Sequence, residues 1–141
     1  MATRARIGLR LDDGTICSVY AHWDNYPSGT GAKLVKDYNT REKVEQLIAG
    51  GDISTVMSRA TWDGTPTEEE VVLYYADRKD PDVDPVYAET DFEFIQQTAS
   101  CGGEYAYVFN PRTSQWSCYD RSNAELINLY KDAPTETPLA V

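Results

Sequence analysis

A strand signature with its own turn constrains this chain most. Ile7, Leu9 and Leu11 alternate with Arg6, Gly8 and Arg10, the period of a half-buried strand. Asp12-Asp13-Gly14 then supplies turn chemistry, with Gly14 suited to the left-handed position. Thr15 to Trp23 continues as a β-rich partner, so residues 4–23 predict a β-hairpin. An isolated hairpin is marginal in water, so further strands or helices must cover its apolar face. The 141 residues, 41% hydrophobic and 26% charged, suit one soluble globular domain. No apolar run approaches the roughly 20 residues of a membrane helix. The charged start lacks the apolar stretch of a secretory signal.

Residues 24–31 carry loop residues, Pro27, Gly29 and Gly31 among them. Short helices are expected over 32–38 and over 41–49. Asn39 or Thr40 caps the second, whose buried face is Val44, Leu47 and Ile48, and Gly50-Gly51 ends it. Ile53, Val56 and Met57 read as a loop or a short turn of helix pinned to the core, and residues 61–70 as polar turn. A strand is expected over 71–76, an exposed loop over 78–85, and a helix, in preference to a strand, over 90–100 with Phe92, Ile95 and Ala99 on one face. Residues 104–109 and 115–119 form a second hairpin, Ser122 caps a last helix over 123–130, and 132–141 is a flexible C-terminal tail. The sum is a single α+β domain over residues 1–131. It has a mostly antiparallel sheet of about five strands, with two to four short helices packed on one face.

Thirteen Lys and Arg stand against 23 Asp and Glu, a net charge of −10, which disfavours direct nucleic-acid binding through phosphate neutralisation. The imbalance lies in residues 61–141, and Trp62 to Glu93 holds 11 acids against Arg78 and Lys79. Glu68, Glu69, Glu70, Asp80, Asp82 and Asp84 could present a negative face to a partner with a basic surface; the plainer reading is a solvated face. The three cysteines, Cys17, Cys101 and Cys118, form no CxxC pair and accompany a single histidine, so free thiols are expected and a zinc site is not. Asp80-Pro81-Asp82-Val83-Asp84 has the acid alternation that opens a calcium loop, but Pro85 occupies the position that needs glycine. No metal and no cofactor are expected.

One cluster stands out as a candidate ligand site: Arg4, Arg6, His22, Trp23, Asp24 and Tyr26. A two-residue hairpin loop sets Arg4 opposite Trp23; a three-residue loop with a bulge sets it opposite His22. Either register brings the arginine beside an indole and the Asp24 carboxylate, where an anionic or planar ligand such as a nucleotide could dock. The competing reading is a latch tying the hairpin to the following loop. Lys33, behind Ser28-Gly29-Thr30-Gly31, adds a weak phosphate-cradle signal without the Walker A spacing. Tyr105, Tyr107 and Phe109 share a strand face with Trp116 and Tyr119 nearby, which suits packing better than base stacking. No nucleophile–base–acid set stands out, and a general base would fall to His22 by default. An enzyme is therefore not favoured.

Thr3-Arg4-x-Arg6-Ile7-Gly8, Val19-Tyr20-x-His22-Trp23-Asp24-x-Tyr26-Pro27, Tyr38-Asn39-Thr40-Arg41-Glu42-Lys43-Val44 and Gly51-Asp52-Ile53-Ser54 together resemble a family of small proteins of tailed bacteriophages, cyanophages included. A more distant bacterial group shares the Thr-Arg start and an Asp-Gly-Tyr-Pro-x-Gly turn, where Asn25 replaces the glycine. The resemblance covers residues 1–57 and attaches no activity to its motifs. It implies a phage origin and a host-cell setting; with the small acidic domain and the lack of a catalytic set, the leading expectation is a non-enzymatic phage accessory protein in the host cell cytoplasm that binds and modulates a host factor through the acidic surface. The alternative is a small-ligand binding or sequestering protein that uses the arginine–histidine cluster. An edge strand on either hairpin would permit a homodimer.

Overall fold

The computed structural model describes residues 2–78 and 84–130. Strands β1 (Ala5–Arg10) and β2 (Ile16–Ala21) form the expected hairpin, pairing Ala5 with Ala21 and Arg10 with Ile16. The loop between them takes the three-residue form. Leu11 and Thr15 close it, and Gly14 sits at φ +91°. That register aligns Arg4 with His22 rather than with Trp23.

One turn of π-helix (Pro27–Gly31) leads into α1 (Ala32–Asp37), and α2 (Arg41–Ala49) follows. Thr40 caps α2 by accepting from the Lys43 amide at 3.2 Å, and Val44, Leu47 and Ile48 are buried as expected. The remaining elements are β3 (Ile53–Ala60), β4 (Pro66–Tyr74), a 3₁₀ turn (Tyr75–Arg78), β5 (Val86–Ala88), α3 (Asp91–Ser100), β6 (Tyr105–Asn110), β7 (Gln115–Asp120) and β8 (Leu126–Ile127).

The fold is α+β, and the sheet is larger than the expected five strands. Eight strands join it in the order β4-β3-β2-β1-β6-β7-β8, with β5 on β2. The additions come from segments whose strand character is irregular. Residues 53–60, expected as loop or helical turn, pair with β4 through three register shifts. Such bulges break the apolar alternation by which a strand is read. β4 begins at Pro66, inside the segment expected as turn, because an edge strand can carry charges and a proline outward. The helix expected over 123–130 is replaced by turns and β8. Ala124 takes φ +59° and donates to the Asp120 carbonyl, which leaves Leu126 and Ile127 to pair with β7.

Helices cover both faces of the sheet, not one. Ala5, Ile7, Leu9, Val19, Tyr107, Phe109 and Trp116 pack with Leu34 of α1 and with Val44, Leu47 and Ile48 of α2. The opposite face packs Ile16, Ala88, Ala106 and Val108 against Phe94 and Ile95 of α3. The helix over 91–100 is therefore present, but its inward face is Phe94, Ile95 and Thr98; Phe92, expected inward, is 66% exposed. Tyr107, Phe109 and Trp116 are core residues, as the packing reading of the second hairpin held. The expected tail 132–141 and most of the expected loop over 78–85 lie outside the described residues.

Candidate functional site

Alternation along β1 decides what the site contains. Ala5 and Ile7 point to the α1–α2 core, so Arg6 points to the opposite face, directly across from Tyr20. Arg6 is 7% exposed. Its Nε donates to Ser18 Oγ at 2.8 Å and its Nη2 to the Ser18 carbonyl at 2.9 Å. Those are its side-chain bonds, and no carboxylate meets it among the described residues.

Arg4 is exposed, two residues earlier. Its backbone carbonyl accepts from the Glu104 amide at 2.7 Å, and its guanidinium lies over Gly102, where an added Cβ would stand 2.9 Å from Nη1. The chain just past the carboxyl end of α3 thus forms one wall. Among the described residues, Arg4 also forms no ion pair. Arg10, Lys33 and Arg41, by contrast, each hold a carboxylate at 3.0 Å or less.

Tyr20 and His22 complete this face. The Tyr20 hydroxyl and His22 Nδ1 are 2.5 Å apart, and the imidazole meets the Trp23 ring edge-on with centroids 4.6 Å apart. The amides of His22 and Trp23 donate to the carbonyls of Ile53 and Ser54 at 3.1 and 2.9 Å, so the backbone at the end of β2 is held by β3. Burial, with Arg4 adding to it, holds the imidazole below its usual titration range; burial also raises the Tyr20 phenol. Asp52 reaches this area, but its Oδ1 accepts from the Tyr20 amide at 3.0 Å. The indole of Trp23 is 44% exposed and open to stacking.

The structure therefore brings Arg4, His22 and Trp23 together, while Arg6 shares their face of the sheet but turns its guanidinium along the strand to Ser18. Tyr20, Asp52 and Cys101 are the members that sequence reasoning missed. Tyr20 was legible, since it shares β-strand parity with His22 and lies across from Arg6. Cys101 enters only because α3 ends against Arg4 and Tyr20.

Asp24 and Tyr26 sit apart in role. Asp24 is exposed, takes φ +62° and makes no ion pair with Arg4; its carbonyl accepts from the Thr30 amide and hydroxyl, each at 3.0 Å. The positive φ that the turn requires falls on Asp24, while Asn25, in the place of the glycine, is buried and uses its side chain. Its Oδ1 accepts from Thr30 Oγ1 at 2.8 Å, and its carbonyl accepts from Tyr107. Residues 24–31 thus form a latch of hydrogen bonds, not of the expected Arg4–Asp24 ion pair.

Lys33 is not free for a phosphate. Its Nζ lies 2.6 Å from Asp37 and 2.8 Å from Glu70, and the amides of Gly29, Thr30 and Gly31 are spent on the Tyr26 and Asp24 carbonyls. Of the acidic set, Glu68 and Glu69 are exposed on β4, the outermost strand of the sheet, and Asp84 is exposed. Glu70 is turned to Lys33. A groove of about 600 Å³ between α1 and β4 mixes Lys33, Lys36 and Arg59 with Asp37, Glu68, Glu69 and Glu70, so this surface is less uniformly negative than the sequence implies. Asp80 and Asp82 lie outside the described residues.

Cys17 and Cys118 are buried and Cys101 half-buried, all as free thiols. Among the described residues no cluster of His, Cys, Asp and Glu could hold a metal ion, and no helix is long and apolar enough to cross a membrane. Comparison with protein-family models, curated proteins and solved structures found no match.

Proposed function

We propose that the protein is a non-enzymatic binder of a small anionic ligand with a planar group, of nucleotide-like chemistry. Its site is the face formed by Arg4, Arg6, Tyr20, His22 and Trp23. The supporting observation is Arg6, buried with no carboxylate partner among the described residues. A guanidinium withdrawn from water without a counter-charge costs several kcal/mol. In a chain with a ten-charge excess of acids, a carboxylate partner would be easy to supply. The carboxyl end of α3 offers roughly half a negative charge by its dipole, and it lies beside Arg4 rather than Arg6. An anion from solution completes the balance, and the exposed Trp23 ring receives the planar group.

The test is thermal shift with nucleoside monophosphates and with inorganic phosphate, together with tryptophan fluorescence compared with that of Trp23→Phe, since the chain has three tryptophans. A specific ligand raises the melting temperature by mass action. The response should disappear in Arg4→Ala and weaken with salt. Absence of any shift at millimolar nucleotide would overturn the reading.

A second reading has its own observation, the exposure of Glu68 and Glu69 on the outer strand β4. On it the protein is a phage accessory factor of the host cytoplasm, and β4 docks on a host protein with a basic surface. Capture of one defined host protein that is lost both at raised salt and in Glu68→Lys/Glu69→Lys would support it; capture unaffected by the charge reversal would sink it.

A further inference from the structure

Resting on the anion-site reading, we propose that Tyr20 fixes His22 as a neutral donor, whose Nε2–H joins the Arg4 guanidinium in holding a phosphoryl oxygen of the ligand beside Trp23. His22 then contributes a directed hydrogen bond rather than a charge, and Tyr20 is the residue that positions it.

The Tyr20 hydroxyl and His22 Nδ1 are 2.5 Å apart and share a single hydrogen. Burial raises the Tyr20 phenol, so the phenol keeps its proton, and among the described residues its oxygen has no other hydrogen-bond partner. That proton is therefore donated to Nδ1. Burial, with Arg4 adding to it, keeps the imidazole uncharged above neutral pH. A neutral imidazole carries one N–H, and the bond made by one ring nitrogen decides which nitrogen bears it. Here it is Nε2. Among the described residues Nε2 has no hydrogen-bond partner, and it is not one of the buried polar atoms left without one. It is a donor open to a ligand.

The ring that carries this donor has little freedom to turn. Its centroid lies 5.8 Å from that of Tyr20 and 4.6 Å from that of Trp23, edge-on to the indole. The backbone beneath it is held as well: the Tyr20 amide donates to Asp52 Oδ1, and the His22 and Trp23 amides donate to the Ile53 and Ser54 carbonyls. The hairpin register sets Arg4 opposite His22, with its guanidinium over Gly102. Arg6 takes no part, since its guanidinium is turned to Ser18. Donors aimed before the ligand arrives lose less freedom when it binds. A guanidinium beside a neutral N–H selects an oxygen that carries negative charge and free lone pairs, and the exposed indole receives the planar group.

The chain has one histidine, so its imidazole nitrogen resonances report this site alone. The experiment is ¹⁵N NMR of His22 in the free protein at about pH 8, above the titration of the imidazole, with adenosine 5′-monophosphate affinities for the variants. The free protein should show the proton on Nε2 and a bare Nδ1. Tyr20→Phe should let both tautomers appear and weaken the nucleotide by about three- to tenfold, with the circular dichroism unchanged. His22→Gln places an amide N–H near the position of Nε2 and should bind within about threefold of the unaltered protein, whereas His22→Asn reaches only the position of Nδ1 and should lose about tenfold.

A proton found on Nδ1 in the free protein, or equal affinity in His22→Asn and His22→Gln, overturns this inference and leaves the anion site standing. No thermal shift of the unaltered protein with the nucleotide overturns the anion site, and this inference with it.

Discussion

The Tyr107 hydroxyl donates to the carbonyl of Asn25 at 2.6 Å, a bond that spans 82 residues of sequence. It joins the inner strand β6 to the latch that follows β2, and both partners are buried. Gly31 packs against the same ring: an added Cβ would lie 3.3 Å from the phenol oxygen. Tyr107→Phe removes the donor and strands a buried carbonyl. The expected cost is about 1–3 kcal/mol in urea unfolding, with little change in the shape of the far-ultraviolet spectrum. A loss below about 0.5 kcal/mol would mean that the latch does not depend on this bond.

Gly29→Ala tests the latch from inside. Its new Cβ would meet the Asp24 carbonyl at 2.6 Å and the Tyr26 ring at 2.8 Å. The carbonyl cannot retreat without breaking its bonds from Thr30. Overpacking of this kind costs about 1–3 kcal/mol, and thermal melting should show it. An unchanged melting temperature would show that the loop reshapes freely.

On the α3 face, Arg10 Nη2 lies 2.7 Å from Asp91 Oδ1, and the Tyr119 hydroxyl donates to the other carboxylate oxygen. These bonds pin the first turn of α3 to β1 and β7. Asp91→Asn should cost about 1 kcal/mol, since the ion pair is partly solvated. Amide hydrogen exchange would show faster opening in α3 with β6 and β7 unchanged; equal protection throughout would refute the assignment.

Tyrosine titration sets the alkaline limit of the fold. Burial raises the Tyr74 phenol to about 12. Burial, then the Asp91 bond, raises Tyr119 to about 12. A phenol whose folded pKa is raised stabilises the fold fully below its unfolded value of about 10, and loses that contribution as pH climbs through the folded value. Circular dichroism should therefore show unfolding between about pH 10 and 12, with part of the phenolate absorbance appearing only in that transition. Complete phenolate formation in a still-folded protein would contradict the placement of these rings.

Local pattern determined the two hairpins and the apolar face of α2, and narrowed the cap of that helix to Asn39 or Thr40 and the partner of Arg4 to His22 or Trp23. In each, neighbours in sequence are neighbours in space, and strand parity or helical period names the buried side. It also identified the arginines as candidates, without showing that Arg6 would be buried on Ser18 with no acid beside it among the described residues. Tertiary structure alone decided the rest. Strands β3 and β8 exist because the edges of β2 and β7 accept them, β3 through one pair with β2 and bulged pairing with β4, β8 through two pairs with β7, too little to leave an alternation in the chain. The parallel pairing of β1 with β6 places α3 over the second face and its carboxyl end beside Arg4. Contacts between residues so far apart depend on which surfaces the whole fold leaves to be covered, and a window of sequence carries no record of that choice.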